Sequence, residues 1–442
     1  MDKKIVVFSA VFVALIVAIA GVFVLLNKDG IQSPVAMDDA ELKVFGNVNG
    51  DRFIDEKDLS ELKQLISDGK TVDEYPLADA NYDGILDSND VDVVEKIIAG
   101  KDTIVWHVNQ YDEDQDGIAE NTIASTKFPI RSAITLGTGN NLLLFYALGI
   151  TDEIKGATYT SSADKTLYGD IYCDESKVAN IGKSITEISF EDGKAGSSDV
   201  IAKENVTAVI ANHNKGSIPH WKTFEEANID VVRVSASSGE KDTLTHSAML
   251  IGLLFQKVEA ANAYVDLSLE VLNYVEKATK NAYDVSAVAS SMTGYLSVGD
   301  SDYRDYITLV GAKYGLDGHD YGSKVSIVAK DYPEVYTYDF ERIIHVRSGV
   351  TYGQTDESNQ KAWNTYTTAF KDWRYADTGQ YVISSSVPVP LRVAYVACAM
   401  YPDLVDINEI DKFHQRFMDE IFKNDKIDLS GMKFILTSDM MD

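Results

Sequence analysis

The chain is expected to be an α/β protein: two Rossmann-like α/β lobes joined by a long helix, preceded by a small all-α calcium-loop module and an N-terminal transmembrane helix. Three observations predict this. From Thr103 onward, short β-branched runs alternate with amphipathic helical stretches. One stretch, from about His246 to Asn281, keeps helical apolar spacing with no Gly or Pro after Gly252. Ahead of both, one Asp- and Asn-rich loop pattern occurs twice.

The first element is Ile5 to Leu26, an uncharged apolar run of 22 residues. It is long enough to span a bilayer as one helix. Lys3 and Lys4 precede it, which keeps the N-terminus inside and puts everything after Asn27 outside. A cleaved signal segment is the rival reading. The residues after Leu26 (Asn-Lys-Asp-Gly-Ile-Gln) offer no small-x-small cleavage site, so an uncleaved anchor over 1–28 is expected. That places the protein on the extracytoplasmic face of the cell membrane. A polar linker, 27–41, follows.

The repeated loops come next, within 42–101. The first places Asn47, Asn49, Asp51, Asp55 and Asp58 at loop positions 1, 3, 5, 9 and 12, with the Phe53 carbonyl at 7. The second places Asp79, Asn81, Asp83, Asp87 and Asp90 likewise, with the Ile85 carbonyl at 7. This is the oxygen-ligand spacing of a calcium loop of EF-hand type, and two ions are expected. An apolar stripe follows each loop: Leu59, Leu62, Leu65, Ile66, and then Val91, Val94, Ile97, Ile98. Each stripe makes one face of a short helix. Loop 1 has Arg52 where the turn normally takes Gly; loop 2 keeps Gly84. Loop 1 offers three carboxylates and loop 2 four, so loop 2 is expected to bind calcium more tightly.

This duplication resembles a dockerin, the calcium-dependent module that docks onto cohesin domains. The resemblance implies a cohesin-bearing partner. It also implies that positions 10 and 11 set partner choice: Glu56 and Lys57 in loop 1, Ser88 and Asn89 in loop 2. Because the two pairs differ, one preferred docking face is expected.

Beyond the module, Asp112, Asp114, Asp116, Gly117 and Glu120 imitate a third loop. Its position 12 would be Ile123, which cannot ligate, so the segment reads as a hairpin turn between Ile104–Asn109 and Asn121–Ile130. Lobe 1, 103–245, has strand candidates at 103–108, 130–136, 154–158, 178–181, 207–211 and 230–234. A linking helix over 246–281 leads to lobe 2, 282–442, with strand candidates at 285–289, 324–328, 344–346 and 380–384. Cys173 and Cys398 fall in different lobes, so both are expected to be free thiols.

Composition narrows the function. The chain has 442 residues, 69 Asp and Glu against 40 Lys and Arg, and a net charge of -29. Such a surface argues against nucleic acid and against adsorption to anionic lipid. There is no G-x-S-x-G elbow, H-E-x-x-H helix or P-loop, so no enzyme is expected.

Several segments, in order, carry a second resemblance. Arg131-Ser-Ala-Ile-Thr-Leu leads through a polar loop to Leu142-Leu-Leu-Phe-Tyr-Ala-Leu-Gly-Ile and Ile154-Lys-Gly-Ala. Phe370-Lys-Asp-Trp-Arg precedes Thr378-Gly-Gln-Tyr-Val-Ile, and Pro388 to Ile421 includes Tyr401-Pro-Asp-Leu and Phe413 with Phe417. These are similar to substrate-binding proteins of ABC importers, in the class with a rigid linking helix that binds iron–siderophore, haem or cobalamin. The resemblance implies capture of a metal chelate between lobes. It also implies a permease and ATPase as partners, contacted through one surface acid per lobe: Asp199 and Glu341.

Ligands of open α/β sheets sit at strand C-terminal ends. The loops there suggest Asn140, Tyr159, His213, Trp221, Tyr295, Arg347, Tyr352 and Arg392 as ligand contacts. Trp221, Tyr295, Tyr352, Trp363 and Trp373 are candidate walls, and Arg347 and Arg392 candidate carboxylate partners. Bare zinc or manganese, held by His213 with His220, His246 and His345, is an alternative. A cell-surface scaffold or adhesion role through dockerin–cohesin pairing is another.

Overall fold

The computed structural model describes residues 35–111, 120–136, 139–158, 164–181, 197–213, 218, 221–290, 292–299, 301–322 and 324–441. The expected anchor, Ile5 to Leu26, and the turn from Asp112 to Gly117 lie outside them. Among the described residues, no helix is long and apolar enough to cross a membrane.

The module with the repeated loops contributes α1 (Glu56–Ser67) and α2 (Ser88–Ile98). Each starts at an aspartate N-cap. Asp55 accepts from Lys57 N and Asp87 from Asn89 N, while Asp58 and Asp90 close reciprocal capping boxes. The repeated stripes meet as expected, with Leu59, Leu62 and Leu65 packing near Val94, Val48 and Ala80.

A hairpin follows, β1 (Thr103–Tyr111) antiparallel to β2 (Glu120–Phe128). Lobe 1 then runs β3 (Ala133–Leu136), α3 (Gly139–Leu148), β4 (Ile154–Ala157), α4 (Lys165–Tyr172), β5 (Ala179–Asn180), α5 (Ser197–Glu204), β6 (Ala208–Asn212), α6 (Trp221–Glu226) and β7 (Asp230–Val234). Its sheet is parallel, ordered β5-β4-β3-β6-β7. The order reverses at β3, whose neighbours are β4 and β6, and such a switch point opens a crevice at the strand C-termini. The hairpin caps the β7 edge: Asn109 Nδ2 donates to Val231 O, and Arg233 N donates back to Asn109 Oδ1.

The expected single linking helix is two helices. α7 (Lys241–Leu254) stops, and α8 (Val258–Thr279) restarts. Gln256 between them has φ +56, a left-handed conformation that ends the first helix. α8 alone, at 22 residues, spans about 33 Å. The apolar periodicity continues through the break because both helices pack on one core, so spacing alone did not reveal it.

Lobe 2 contains β8 (Ser286–Ser290), β9 (Tyr295–Ser297), α9 (Asp302–Leu309), β10 (Lys313–Tyr314), β11 (Ser326–Val328), β12 (Arg342–Arg347), α10 (Asp356–Thr367), β13 (Gln380–Ser384), α11 (Val389–Met400), α12 (Ile407–Arg416) and β14 (Ile435–Leu436). The sheet order is β10-β8-β12-β13-β14, parallel except for β14. β9 and β11 form a separate antiparallel pair. Every residue of α11 is buried, and one continuous apolar cluster runs through both lobes, α7, α8 and α11.

The module is not an appended bead. Leu42, Val44 and Ile97 belong to that same cluster. Residues 43–45 pair with β1: Phe45 N donates to Trp106 O and Val108 N to Lys43 O, both at 2.9 Å. His246 of α7 locks the junction. Its Nδ1 accepts from Lys43 N at 3.1 Å, so its Nε2 carries the proton and faces Val108 O at 3.3 Å. The module and the lobes therefore share one apolar cluster and a backbone pairing.

Candidate functional site

The contacts that cross between lobes come largely from segments following strand C-termini. Asp164, the N-cap of α4, accepts from Tyr352 N at 3.1 Å through Oδ2, while its Oδ1 accepts from Thr166 N and Leu167 N. Tyr306 Oη donates to Ser237 O at 2.6 Å. The C-terminal ends of the two parallel sheets thus face each other.

Polar side chains gather at those ends. In lobe 1 they are Asn141, whose amide donates to Thr135 Oγ1, and Asn212, whose amide donates to Ser237 Oγ. In lobe 2, Arg347 ends β12. It donates to Ser290 Oγ at the end of β8 and stacks on Tyr366 at 5.2 Å. Burial holds the Arg347 guanidinium below its ordinary range, with Tyr303 and Tyr366 partly opposing this. Asn140, at the start of α3, is half-buried, as are His213 after β6 and Tyr295 at the head of β9. Asn141 and Asn212 belong to the loops 137–141 and 212–217, which the sequence already marks as following strands and as candidate cleft loops. Tyr159 and His220 lie outside the described residues, as do most of the residues after β4 and β6.

Several candidates are corrected. Arg392 is 2% exposed, donates through Nε to Val387 O, and lies near Tyr168, Tyr264, Tyr306 and Tyr352. It is a buried side chain among phenols. Tyr352 is fully buried and its hydroxyl meets His414 Nε2 at 2.7 Å. Trp363 and Trp373 are core residues, Trp373 stacked on Phe340. Trp221 packs edge-on against Tyr111 of the hairpin. It lines a pocket of about 610 Å³ with Arg233, Glu225 and Asp230, wholly within lobe 1. The histidine set is also dispersed: His246 is locked at the module junction and His345 faces Gln380 Oε1 in the lobe 2 core. In each case a residue type common in binding sites was taken by the core, which needs large apolar rings and satisfied polar groups.

Of the docking acids, Glu341 is exposed just before β12, at the N-terminal end of that strand. Asp199 falls in α5, and its side chain lies outside the described residues.

The two calcium-type loops are built differently. In loop 2, Asp79 accepts from Asp83 N and Gly84 N, and Gly84 takes φ +85. Asp90 accepts from Asn81 N and Asp87 N. In loop 1, Asp58 is fully buried and accepts from Val48 N, Asn49 N and Asp55 N at 2.8–3.2 Å. Burial, with the Asp51 and Asp55 charges adding, pushes its carboxyl up to about 7 against those hydrogen bonds. Burial likewise raises Asp79 and Asp90. Both loops are left-handed at position 4 (Gly50, φ +71; Tyr82, φ +57), but only loop 2 is so again at position 6 (Gly84, φ +85), so Arg52 needs no glycine-like conformation. Asn47 donates through Nδ2 to Leu42 O and Asp51 O, leaving Oδ1 buried with no hydrogen-bond partner. Among the described residues no group of three or more His, Cys, Asp or Glu converges as a metal site; these carboxylates are turned to loop N–H groups instead. Glu56, Lys57, Ser88 and Asn89 are all exposed.

No protein-family model matches this chain, and no curated protein matches it. Solved structures do match. FepB, a TroA-like periplasmic binding protein from Veillonella parvula, matches with a TM-score of 0.53 at 13% identity, over 75% of this chain and 99% of its own. A periplasmic solute-binding protein from the same species has a TM-score of 0.48 at 16% identity, covering 73% and 94%. CeuE of Helicobacter pylori has a TM-score of 0.48 at 13% identity, covering 72% and 96%. The last two are too distant to carry an argument. The first shows the fold: α/β, with two parallel sheets arranged as in TroA-like two-lobe binding proteins.

Proposed function

We propose that this chain is the extracytoplasmic substrate-binding protein of an ABC importer, capturing an iron chelate, haem or corrinoid between its lobes. The observation that carries the reading is the pair of parallel sheets whose C-terminal ends oppose each other beside a rigid α8. The likeness to a TroA-like periplasmic binding protein supports the class. Function here is capture without chemistry: Asn140, Tyr159, His213, Tyr295 and Arg347 supply contacts, and Arg347 faces a ligand carboxylate. The Asp164–Tyr352 and Tyr306–Ser237 contacts limit closure to small movements. An N-terminal helix tethers the protein to the membrane, and Asp199 and Glu341 meet a permease that works with its ATPase. His246 and His345 are engaged in the core, which weighs against the bare zinc or manganese alternative.

The loops are proposed to take calcium. Their donors are all oxygen, as this hard cation requires, and the orphaned Asn47 Oδ1 stands at position 1. The loop carboxylates would turn from backbone N–H groups toward the ion. Loop 2, with four carboxylates, is the tighter site. The module is proposed to dock a cohesin-bearing partner through Glu56, Lys57, Ser88 and Asn89, a scaffold role compatible with transport. Replacing Glu56-Lys57 and Ser88-Asn89 separately by Ala is expected to weaken docking unequally, by tenfold or more for one pair. Equal losses in a pull-down titration would rule out a single docking face.

The importer reading is tested by titrating the intact protein, following tryptophan fluorescence, with haem, cobalamin, ferric hydroxamate and catecholate chelates, zinc and manganese. Saturable binding of one chelate is expected; binding of bare metal alone, or of nothing, overturns it. Arg347→Ala should lower affinity for a carboxylate-bearing chelate about tenfold or more, since a charged hydrogen bond contributes about 1.5–3 kcal/mol. A neutral chelate should lose little.

A further inference from the structure

Arg52 is the residue of loop 1 that departs from the calcium-loop pattern, and it leaves the module altogether. Its Nε donates to Glu41 Oε2 at 2.8 Å, and its Nη1 donates to Asp266 Oδ1 at 2.6 Å and Asn262 Oδ1 at 3.3 Å. Asp266 and Asn262 lie on the first turns of α8. The Arg52 side chain is 17% exposed, while its partners Asp266 and Glu41 are 60% and 50% exposed. The residues flanking Arg52 are both expected ligands: Asp51 by its side chain and Phe53 by its carbonyl. The Phe53 and Ile54 side chains pack against the core shared with the lobes.

A second path starts at loop position 1. Asn47 Nδ2 holds Leu42 O, and Leu42 is buried in the shared core. The next residue, Lys43, is gripped by His246 of α7 and by Val108 of β1. The other end of the Asn47 amide, Oδ1, is the buried acceptor with no partner. A cation that engaged this oxygen, Asp51 and the Phe53 carbonyl would fix the backbone on both sides of Arg52. It would also fix the amide that holds Leu42. Loop 2 lacks such an arginine; its contact with β1 is Tyr82 stacked on Trp106.

We propose that loop 1 is a cation-dependent strap on the solute-binding body, with Arg52 transmitting occupancy of the loop by an oxygen-seeking divalent cation to α8 and thereby to both lobes. This rests on the calcium reading of the loops. A cation bound only by the folded loop stabilises whatever is folded with it. Ordering Arg52 in advance removes part of the entropy lost when it meets Asp266 and Asn262.

The test is calorimetry on the full chain with calcium chloride: binding by titration, and unfolding by scanning with and without the ion. The unfolding transition that carries the lobes should rise by several degrees with calcium. Asp266→Ala, an exposed change on α8 remote from the loop oxygens, should leave calcium binding measurable while cutting that rise by about half. Arg52→Ala should do the same. Asp87→Ala in loop 2 should remove that loop's own share of the rise and leave the further effect of Asp266→Ala unchanged. The strap is overturned if calcium binds yet only a separate, small transition moves, or if Asp266→Ala keeps the full rise. If titration shows no calcium binding, the reading of the loops fails first and the strap falls with it; that outcome is distinct from the other two.

Discussion

A chain that begins at Thr103 is expected to be far less stable than the intact protein, although residues 103–442 hold both lobes. Cutting there removes Leu42, Val44 and Ile97, all at 4% exposure or less, from the shared core. Burying one such side chain contributes about 1.5–3 kcal/mol, so the exposed face costs roughly 5 kcal/mol or more. It also strips β1 of the 43–45 pairing and leaves the buried His246 Nδ1 without its Lys43 donor. A loss of this size is comparable with the whole stability of many domains. Denaturant melts of the two chains measure it. A truncated chain with the midpoint of the intact one would mean that the module contributes nothing to the lobes.

The second large effect is acid sensitivity above the usual carboxylate range. Burial holds His107 near a pKa of about 4, and His246, His345 and His414 near about 3. In the unfolded chain each titrates near 6.5. Between those values the unfolded state binds more protons, so stability falls as the pH drops below about 6.5. Each histidine costs about 1.4 kcal/mol per pH unit in that window. Asp58 works the other way. Its carboxyl is raised in the fold, so without a bound cation it takes up a proton there first and offsets about one histidine. The remaining three outweigh the smaller offsets from Asp79, Asp90, Glu225 and Asp411, whose carboxyls burial also raises, so stability falls with pH. Urea midpoints at pH 7, 6 and 5 should fall steeply, and His345→Gln should flatten the slope. A midpoint unchanged from pH 7 to pH 5 would contradict the buried, neutral histidines.

Much of this protein was legible before any tertiary structure. The apolar stripes of α1 and α2 and the strands at Asp230–Val234 and Gln380–Ser384 follow from periodicity, which is a local property. The two parallel sheets followed from strands alternating with helices, because a parallel pair needs a crossover between its strands. The candidate cleft residues were less legible. Tyr352, Trp363, Trp373 and Arg392 follow or flank strands as ligand residues do, yet the core holds all four. Spacing along a chain places a residue at the end of a strand but does not say which way its side chain turns.

The sequence by itself determined the element types, the duplicated Asp- and Asn-rich loops, and the two-lobe α/β class, since each is written in neighbouring residues. Tertiary structure alone decided that the 246–281 helix breaks at Gln256, that Arg392 sits among tyrosines, and that loop 1 is strapped to α8 by Arg52. These depend on contacts between residues as far apart as Arg52 and Asp266, and on which groups the shared core desolvates. Neither is set by local periodicity, because burial and pairing across the chain are settled only when the elements pack.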